Sequence, residues 1–328
     1  VFGPSLKVVE VVARSIRDAW MYGDPENHDL RHALAEHHGV AAENVMVGEG
    51  IDGILGYAAR MFVDSGDTVV TSAGAYPTFN YHVNGYGGKL VFLPYKDDHE
   101  DWRGLLDLAS AENAKLLYFA NPDNPMGTWW DADAVQVMMR QVPQGTVLLV
   151  DEAYGEFAPA DALPEVDVSN PQVLRLRTFS KAYGLAGMRV GYALGERGLI
   201  AEFNKVRNHF GMGRVAQAAA LAALADQEHL QQVIRQVAQA RERIATIAAQ
   251  HGLTPLESAA NFVAIDAGRD GAFATAVLND LVRQGVFVRM PGVAPLNRCI
   301  RVTAGWDHQL DTFAEALPLA LAHVRANP

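Results

Sequence analysis

The 328-residue chain reads as an α/β protein, a three-layer domain with a mostly parallel sheet between helices, followed by a smaller α+β domain. Three observations predict this. Seven short runs rich in Val and Leu recur between residues 45 and 194. Their hydrophobicity is continuous rather than alternating, as expected of strands covered on both faces. Longer stretches of helical pattern separate them, and several runs end in Gly, Asn, Asp or Ser, at the edge where such sheets place ligands.

The runs are Val45–Val47, Thr68–Thr71, Leu90–Leu93, Lys115–Ala120, Val147–Val150, Val173–Leu176 and Val190–Leu194. Helices are expected between them, among others at Ile51–Val63, Asp101–Ala109 and Asp131–Gln141. This part covers roughly residues 30–225. A long helix follows, because Leu230, Val233, Ile234, Val237, Ile244 and Ile247 recur at helical spacing and Gly252 is a suitable stop. In the remainder, Phe262–Ile265, Val286–Val288 and Ile300–Thr303 are the expected strands.

Composition narrows the function. The formal charge is −11, with no block of like charges, which argues against a nucleic-acid scaffold. The single cysteine, Cys299, cannot form an intramolecular disulfide and suits a reducing compartment. Val215–Ala225, the most apolar stretch, is too short to span a bilayer. No charged-then-apolar leader is seen, so a cytoplasmic protein without a membrane partner is expected. The opening Val1-Phe2-Gly3-Pro4-Ser5 lacks a Met, and further residues are expected ahead of it.

The strongest chemical signal is Thr178-Phe179-Ser180-Lys181-Ala182-Tyr183-Gly184-Leu185-Ala186-Gly187-Met188-Arg189-Val190-Gly191-Tyr192. A strand delivers Ser180 and Lys181 to its end, small residues allow close approach, and Arg189 returns eight residues later. An amine able to form an imine, beside a hydroxyl and a guanidinium, suits a phosphorylated aldehyde. A lone lysine after a strand is ordinarily a surface residue, but four other segments point to the same chemistry. Strand Val147–Val150 ends in Asp151-Glu152-Ala153-Tyr154, and a carboxylate at a buried strand end is costly unless paired. Asp151 could pair with a protonated pyridine nitrogen and keep the ring an electron sink; Tyr154 could bond the ring's phenolic oxygen. The rigid turn Asn121-Pro122-Asp123-Asn124-Pro125-Met126-Gly127 could aim Asn124 at the same oxygen. Gly48-Glu49-Gly50-Ile51-Asp52 runs from a strand into a helix, whose free N–H groups provide an anion site. Ala75-Tyr76-Pro77-Thr78-Phe79 places an aromatic ring beyond the second strand, able to stack on a planar cofactor or to pack in the core.

Together these segments resemble the class I/II aminotransferases of fold type I, and within them the histidinol-phosphate aminotransferase group. The likeness runs from Phe2-Gly3-Pro4-Ser5 to Arg301-Val302-Thr303-Ala304-Gly305. It implies pyridoxal 5'-phosphate as cofactor, held by Lys181 as a Schiff base. It makes Asp151 the pyridine-nitrogen partner and Asn124 and Tyr154 the phenolic-oxygen partners. Ser180, Arg189 and the backbone N–H groups of Ile51 and Asp52 would hold the phosphate, with Phe79 in the stacking place. Tyr22 matches a tyrosine that reaches the neighbouring subunit's phosphate site, so a homodimer with shared sites follows. The large domain is then 26–228, with 1–25 and 229–328 forming the small one.

The implied reaction is a ping-pong transfer from an amino donor to a 2-oxo acid acceptor, with Lys181 moving protons as general base and acid. Arg301 matches the family's substrate-anion arginine, which can grip a carboxylate bidentately. Arg289, twelve residues earlier, matches an arginine that helps bind a distal phosphate. The expected donor is L-histidinol phosphate and the acceptor 2-oxoglutarate. Departures at Met126, Gly53 and the loop Asn208-His209-Phe210-Gly211-Met212-Gly213-Arg214 are expected to touch the pocket wall, which leaves an aromatic or other neutral amino acid as an alternative donor.

Other readings compete. A decarboxylase of the threonine-phosphate type would use the same cradle. Gly48-x-Gly50-x-x-Gly53 meets the dinucleotide fingerprint of a nicotinamide oxidoreductase, but the second strand ends in Thr71-Ser72 rather than an acid. A cofactor-binding regulator would need a DNA-binding module, and none is visible. His28 and His32 lie four apart, a spacing that can ligate zinc, yet no Glu follows His28 as in the zinc-protease motif, and no metal is expected.

Overall fold

The computed structural model describes residues 2–326. Seven strands form one sheet: β1 (Val45–Gly48), β2 (Thr68–Ser72), β3 (Lys89–Leu93), β4 (Leu116–Ala120), β5 (Val147–Asp151), β6 (Val173–Thr178) and β7 (Gly191–Gly195), in the order β1-β7-β6-β5-β4-β2-β3. Strands β3, β2, β4, β5 and β6 are mutually parallel, whereas β7 runs antiparallel between β6 and β1. Each predicted run in this part of the chain is a strand of this sheet. Helix α1 (Leu6–Ser15) precedes the sheet with α2 (His28–His38). Helices α3 (Gly50–Phe62), α4 (Pro77–Gly85), α5 (Trp102–Ala111), α6 (Ala132–Arg140), α7 (Arg197–Glu202) and α8 (Arg214–Ala225) connect or follow its strands.

Side-chain alternation divides the sheet's apolar residues between two faces. Leu116, Tyr118, Leu149 and Leu174 pack on one side with Ile54, Leu55 and Phe79 of α3 and α4. Leu117, Phe119, Leu148 and Val150 pack on the other with Leu105, Leu106, Val135 and Met138 of α5 and α6. Two covered faces explain the continuous hydrophobic runs.

The second sheet holds β8 (Thr254–Pro255), β9 (Phe262–Asp266) and β10 (Cys299–Thr303), all antiparallel, in the order β10-β9-β8. It packs with α9 (Gln227–Gln250), α10 (Gly271–Arg283) and α11 (Asp307–Ala326). Helix α9 is the predicted long helix, and Gly252 past its end has a left-handed φ of +72°. The expected strand Val286–Val288 is not a strand. Phe287 is 75% exposed, and only the next residue, Arg289, makes a bridge, to Arg301. The segment meets β10 only at Arg289, so residues 286–288 form no ladder with it. One core cluster joins α2 and α8 to α9 and the second sheet, so apolar packing continues across residue 228.

Candidate active site

The parallel strands β4, β5 and β6 are neighbours, and their carboxyl ends deliver Ala120-Asn121-Pro122, Asp151 and Thr178-Phe179-Ser180-Lys181 to one edge. A cavity of about 150 Å³ opens there, lined among others by Asn124, Asp151, Tyr154, Ser180, Lys181 and Arg189. Ile51 and Asp52 at the start of α3 line it too. Residues read from four separate motifs therefore meet in one space.

The anion end is built by close backbone approach. β1 and β7 pair Gly48 with Gly191, bringing the start of α3 against the start of β7. A Cβ on Gly191 would lie 2.6 Å from the Ile51 nitrogen, and one on Gly50 would lie 2.4 Å from Arg189 Nη2. Both positions require glycine. Arg189 itself has a left-handed φ of 53°, which few side-chain-bearing residues adopt. That bend returns its Nη1 to within 3.3 Å of Ser180 Oγ, which also accepts a hydrogen bond from Thr178 Oγ1 at 2.9 Å. A hydroxyl, a guanidinium and the N-terminus of a 13-residue helix converge, a donor set suited to a phosphate. Asp52 turns its carboxylate to His82, 3.1 Å away, which leaves its role in the cavity to the backbone.

In the same cavity Asp151 is buried, accepting from Tyr118 Oη at 2.7 Å and from the Ala153 nitrogen at 2.9 Å. Burial pushes its carboxyl above the ordinary value, while those hydrogen bonds and the Lys181 ammonium pull the other way. Lys181 Nζ lies 5.2 Å from the centre of the Tyr154 ring. Arg301 Nη1 donates to Asn124 Oδ1, and its guanidinium sits 4.6 Å above Phe262.

A second cavity, about 700 Å³, adjoins the first and shares Tyr76 and Asn124 with it. Arg301 and Arg289 both line it, with Phe92, Pro291 and Val293 among its apolar walls. The two arginines are held in register by reciprocal backbone hydrogen bonds of 3.1 and 2.6 Å. Burial and the neighbouring Arg289 push the Arg301 guanidinium down, opposed by Tyr154 and Asp123.

Two sequence expectations change. Phe79 does not line the cavity; it is fully buried, and Tyr76 lines it instead. Pro77 starts α4, so Tyr76 stays outside the helix at the sheet edge while Phe79 turns into the core. Met126 packs fully buried with Ala264, Leu296 and Cys299, and neither Met126, Gly53 nor the 208–214 loop lines either cavity. Tyr22, expected at a neighbouring subunit's site rather than at this one, is 79% exposed and 5.0 Å from the Phe210 ring. Sequence reasoning missed Tyr118, whose apolar strand neighbours gave no sign of its hydroxyl's partner.

The fold and the site define a lysine-bearing α/β enzyme whose cavity fits a phosphorylated aromatic aldehyde. The family model for aminotransferase class I and II matches residues 4–317. The chain belongs to the class I and II aminotransferases. It is 34% identical to histidinol-phosphate aminotransferase 2 of Pseudomonas aeruginosa over 98% of this chain and 87% of that protein. It is 31% identical to the Moorella thermoacetica histidinol-phosphate aminotransferase, covering 98% and 83%. The crystal structure of the Sinorhizobium meliloti histidinol-phosphate aminotransferase, in complex with pyridoxal-5'-phosphate, superposes with a TM-score of 0.97 at 52% identity, covering all of this chain and 89% of that one. A Porphyromonas gingivalis L-threonine-O-3-phosphate decarboxylase shares the fold at 18% identity and a TM-score of 0.84.

Proposed function

We propose that this aminotransferase uses pyridoxal 5'-phosphate to move an amino group from L-histidinol phosphate to 2-oxoglutarate. When bound, the cofactor supplies an aldehyde for imine formation and a pyridinium electron sink. Ser180, Arg189 and the Ile51 and Asp52 N–H groups anchor its phosphate, and Asp151 faces its ring nitrogen. Asn124 and Tyr154 orient its phenolic oxygen, and Tyr76, rather than Phe79, covers its ring. Lys181 would be the covalent attachment point, and its free amine would take the proton from the donor's Cα and deliver it to the cofactor's C4′.

The observation carrying the substrate is the second cavity. Arg301 and Arg289 put two guanidiniums on a chamber that joins the Lys181 cavity at Tyr76 and Asn124. Arg301 beside Asn124 suits the carboxylate of the 2-oxo acid, and Arg289 suits the distal phosphate of the donor. The identity to the Sinorhizobium meliloti enzyme supports the same choice. Exposed Tyr22, alongside Phe210, supports a homodimer in which that tyrosine reaches the partner's phosphate site. Among the described residues no helix is long and apolar enough to cross a membrane; with one buried cysteine, this supports a cytoplasmic enzyme. The division at 26–228 goes with that reading.

A donor screen without acceptor tests the proposal. Histidinol phosphate should convert the bound cofactor once to its aminated form and then stall. Rapid conversion by L-phenylalanine with none by histidinol phosphate would overturn the donor. Continued turnover without acceptor would indicate a decarboxylase.

A further inference from the structure

Tyr118 belongs to the inner row of a buried strand. It pairs with Leu149 across β4 and β5, so Asp151, two residues on, shares its face of the sheet. Its hydroxyl donates to Asp151 Oδ2 at 2.7 Å, and the Ala153 nitrogen occupies Oδ1. Behind it, the Phe79 ring is stacked on the Tyr118 ring, centroids 5.0 Å apart and planes 22° from parallel. Both rings are buried, so the phenol has no room to swing away. Tyr118 also lines the Lys181 cavity.

The charges and titratable groups around Asp151 are Lys181 after β6, Glu152 just past the end of β5, Tyr118 on β4, Glu100 before α5, and Tyr76 before α4. Burial raises the Asp151 carboxyl, and the Tyr118 hydroxyl is the foremost influence against that rise. Burial and Asp151 hold the Tyr118 phenol well above its usual range, so it remains a donor.

We propose that Tyr118, braced by Phe79, is a positioning residue that keeps Asp151 in its carboxylate form and turned toward the cofactor's ring nitrogen. The inference rests on the reading of Asp151 as the ring-nitrogen partner. One proton is shared between the two groups. On nitrogen it leaves a pyridinium beside a carboxylate; on oxygen it leaves a neutral pyridine beside a carboxylic acid. A hydrogen bond donated to the carboxylate favours the first arrangement, the stronger electron sink. Phe79 thus acts through two intervening residues, Tyr118 and Asp151, rather than by stacking on the ring.

The test loads the full chain with pyridoxal phosphate labelled with ¹⁵N in the ring and reads the nitrogen resonance. In the unaltered chain it should report a protonated ring. In Tyr118→Phe, which keeps the stacked ring, it should move toward the unprotonated value. The rate of the donor half-reaction should fall about tenfold, the loss of one charge-assisted hydrogen bond, with little change in donor KM. An unchanged resonance and rate in a Tyr118→Phe chain that loads normally would overturn this inference alone. Failure of the unaltered chain to attach the cofactor at Lys181 would overturn the parent reading as well. If Tyr118→Phe does not fold, Phe79→Leu, which retains the hydroxyl, should shift the resonance the same way by less; no shift there overturns the inference.

Discussion

The two cavities meet at Tyr76 and Asn124, yet they are built differently. Around Lys181, each functional group sits at or just beyond the end of a strand whose neighbours are fixed by ladder hydrogen bonds. Around Arg289, the wall is assembled from residues 73–78, Asn80, Phe92, the 124–125 turn, a non-strand segment at 289–293 and β10. Rigid edges suit chemistry that must hold one cofactor in one pose. A wall assembled from distant loops suits substrate choice, because it can change without moving the edge. Substitutions should therefore separate into those that stop the reaction and those that change its donor.

The largest effect is expected at the edge itself. Lys181→Ala should lower turnover by at least about 10³-fold, within the range for removing a positioned acid-base group, while the cofactor still binds through its phosphate. Normal turnover in that variant would collapse the distinction.

Gly191→Ala comes next. The added Cβ would lie 2.6 Å from the Ile51 nitrogen, and backbone cannot yield as a flexible side chain does. Cofactor affinity, measured by equilibrium dialysis, should fall about ten- to hundredfold, in keeping with the usual cost of overpacking. Unchanged affinity would mean that the phosphate is not held by the approach of β7 to α3.

Arg289→Ala should leave the edge intact and affect the chamber alone. kcat/KM for histidinol phosphate should fall about tenfold, as when a charged hydrogen bond is lost, with L-phenylalanine barely affected. Equal losses for both donors would deny Arg289 a role in choosing a phosphorylated substrate.

The smallest effect concerns the turn that joins the two regions. Asp123 accepts from Tyr95 Oη at 2.7 Å and from the Met126 nitrogen at 2.9 Å, and burial pushes its carboxyl up to about 7. Buried Glu100 is also raised. Such a group stays protonated in the folded chain but ionises near about 4 when unfolded. Its contribution is therefore whole below about pH 4 and is lost as pH rises toward 7. Denaturant midpoints should fall between pH 5 and pH 7.5, and less steeply in Asp123→Asn; an identical slope would remove Asp123 from the account.

The same contrast explains what was legible in the sequence. Strand runs and their polar ends lie close together along the chain, so Lys181, Asp151, Asn124, Ser180 and Arg189 could be read from short motifs, and all five line one cavity. The chamber wall leaves no such local trace. Met126 was expected there and is buried elsewhere, because a turn sequence does not say which way its side chains face. Tyr76 and Phe79 are three residues apart, and only the start of α4 at Pro77 decides which ring stays at the edge. Tyr118 looked like any core aromatic until the register of β4 against β5 placed Asp151 on its face. Val286–Val288 failed for a related reason, since an apolar triplet does not reveal whether a partner strand is within reach.

The most direct test of the central claim is to load the chain with pyridoxal phosphate, reduce it with borohydride and map the modified peptide by mass spectrometry. The cofactor should be found on Lys181, in the peptide that also holds Ser180. A label on any other lysine, or none at all, would contradict the assignment of this cavity as the catalytic site.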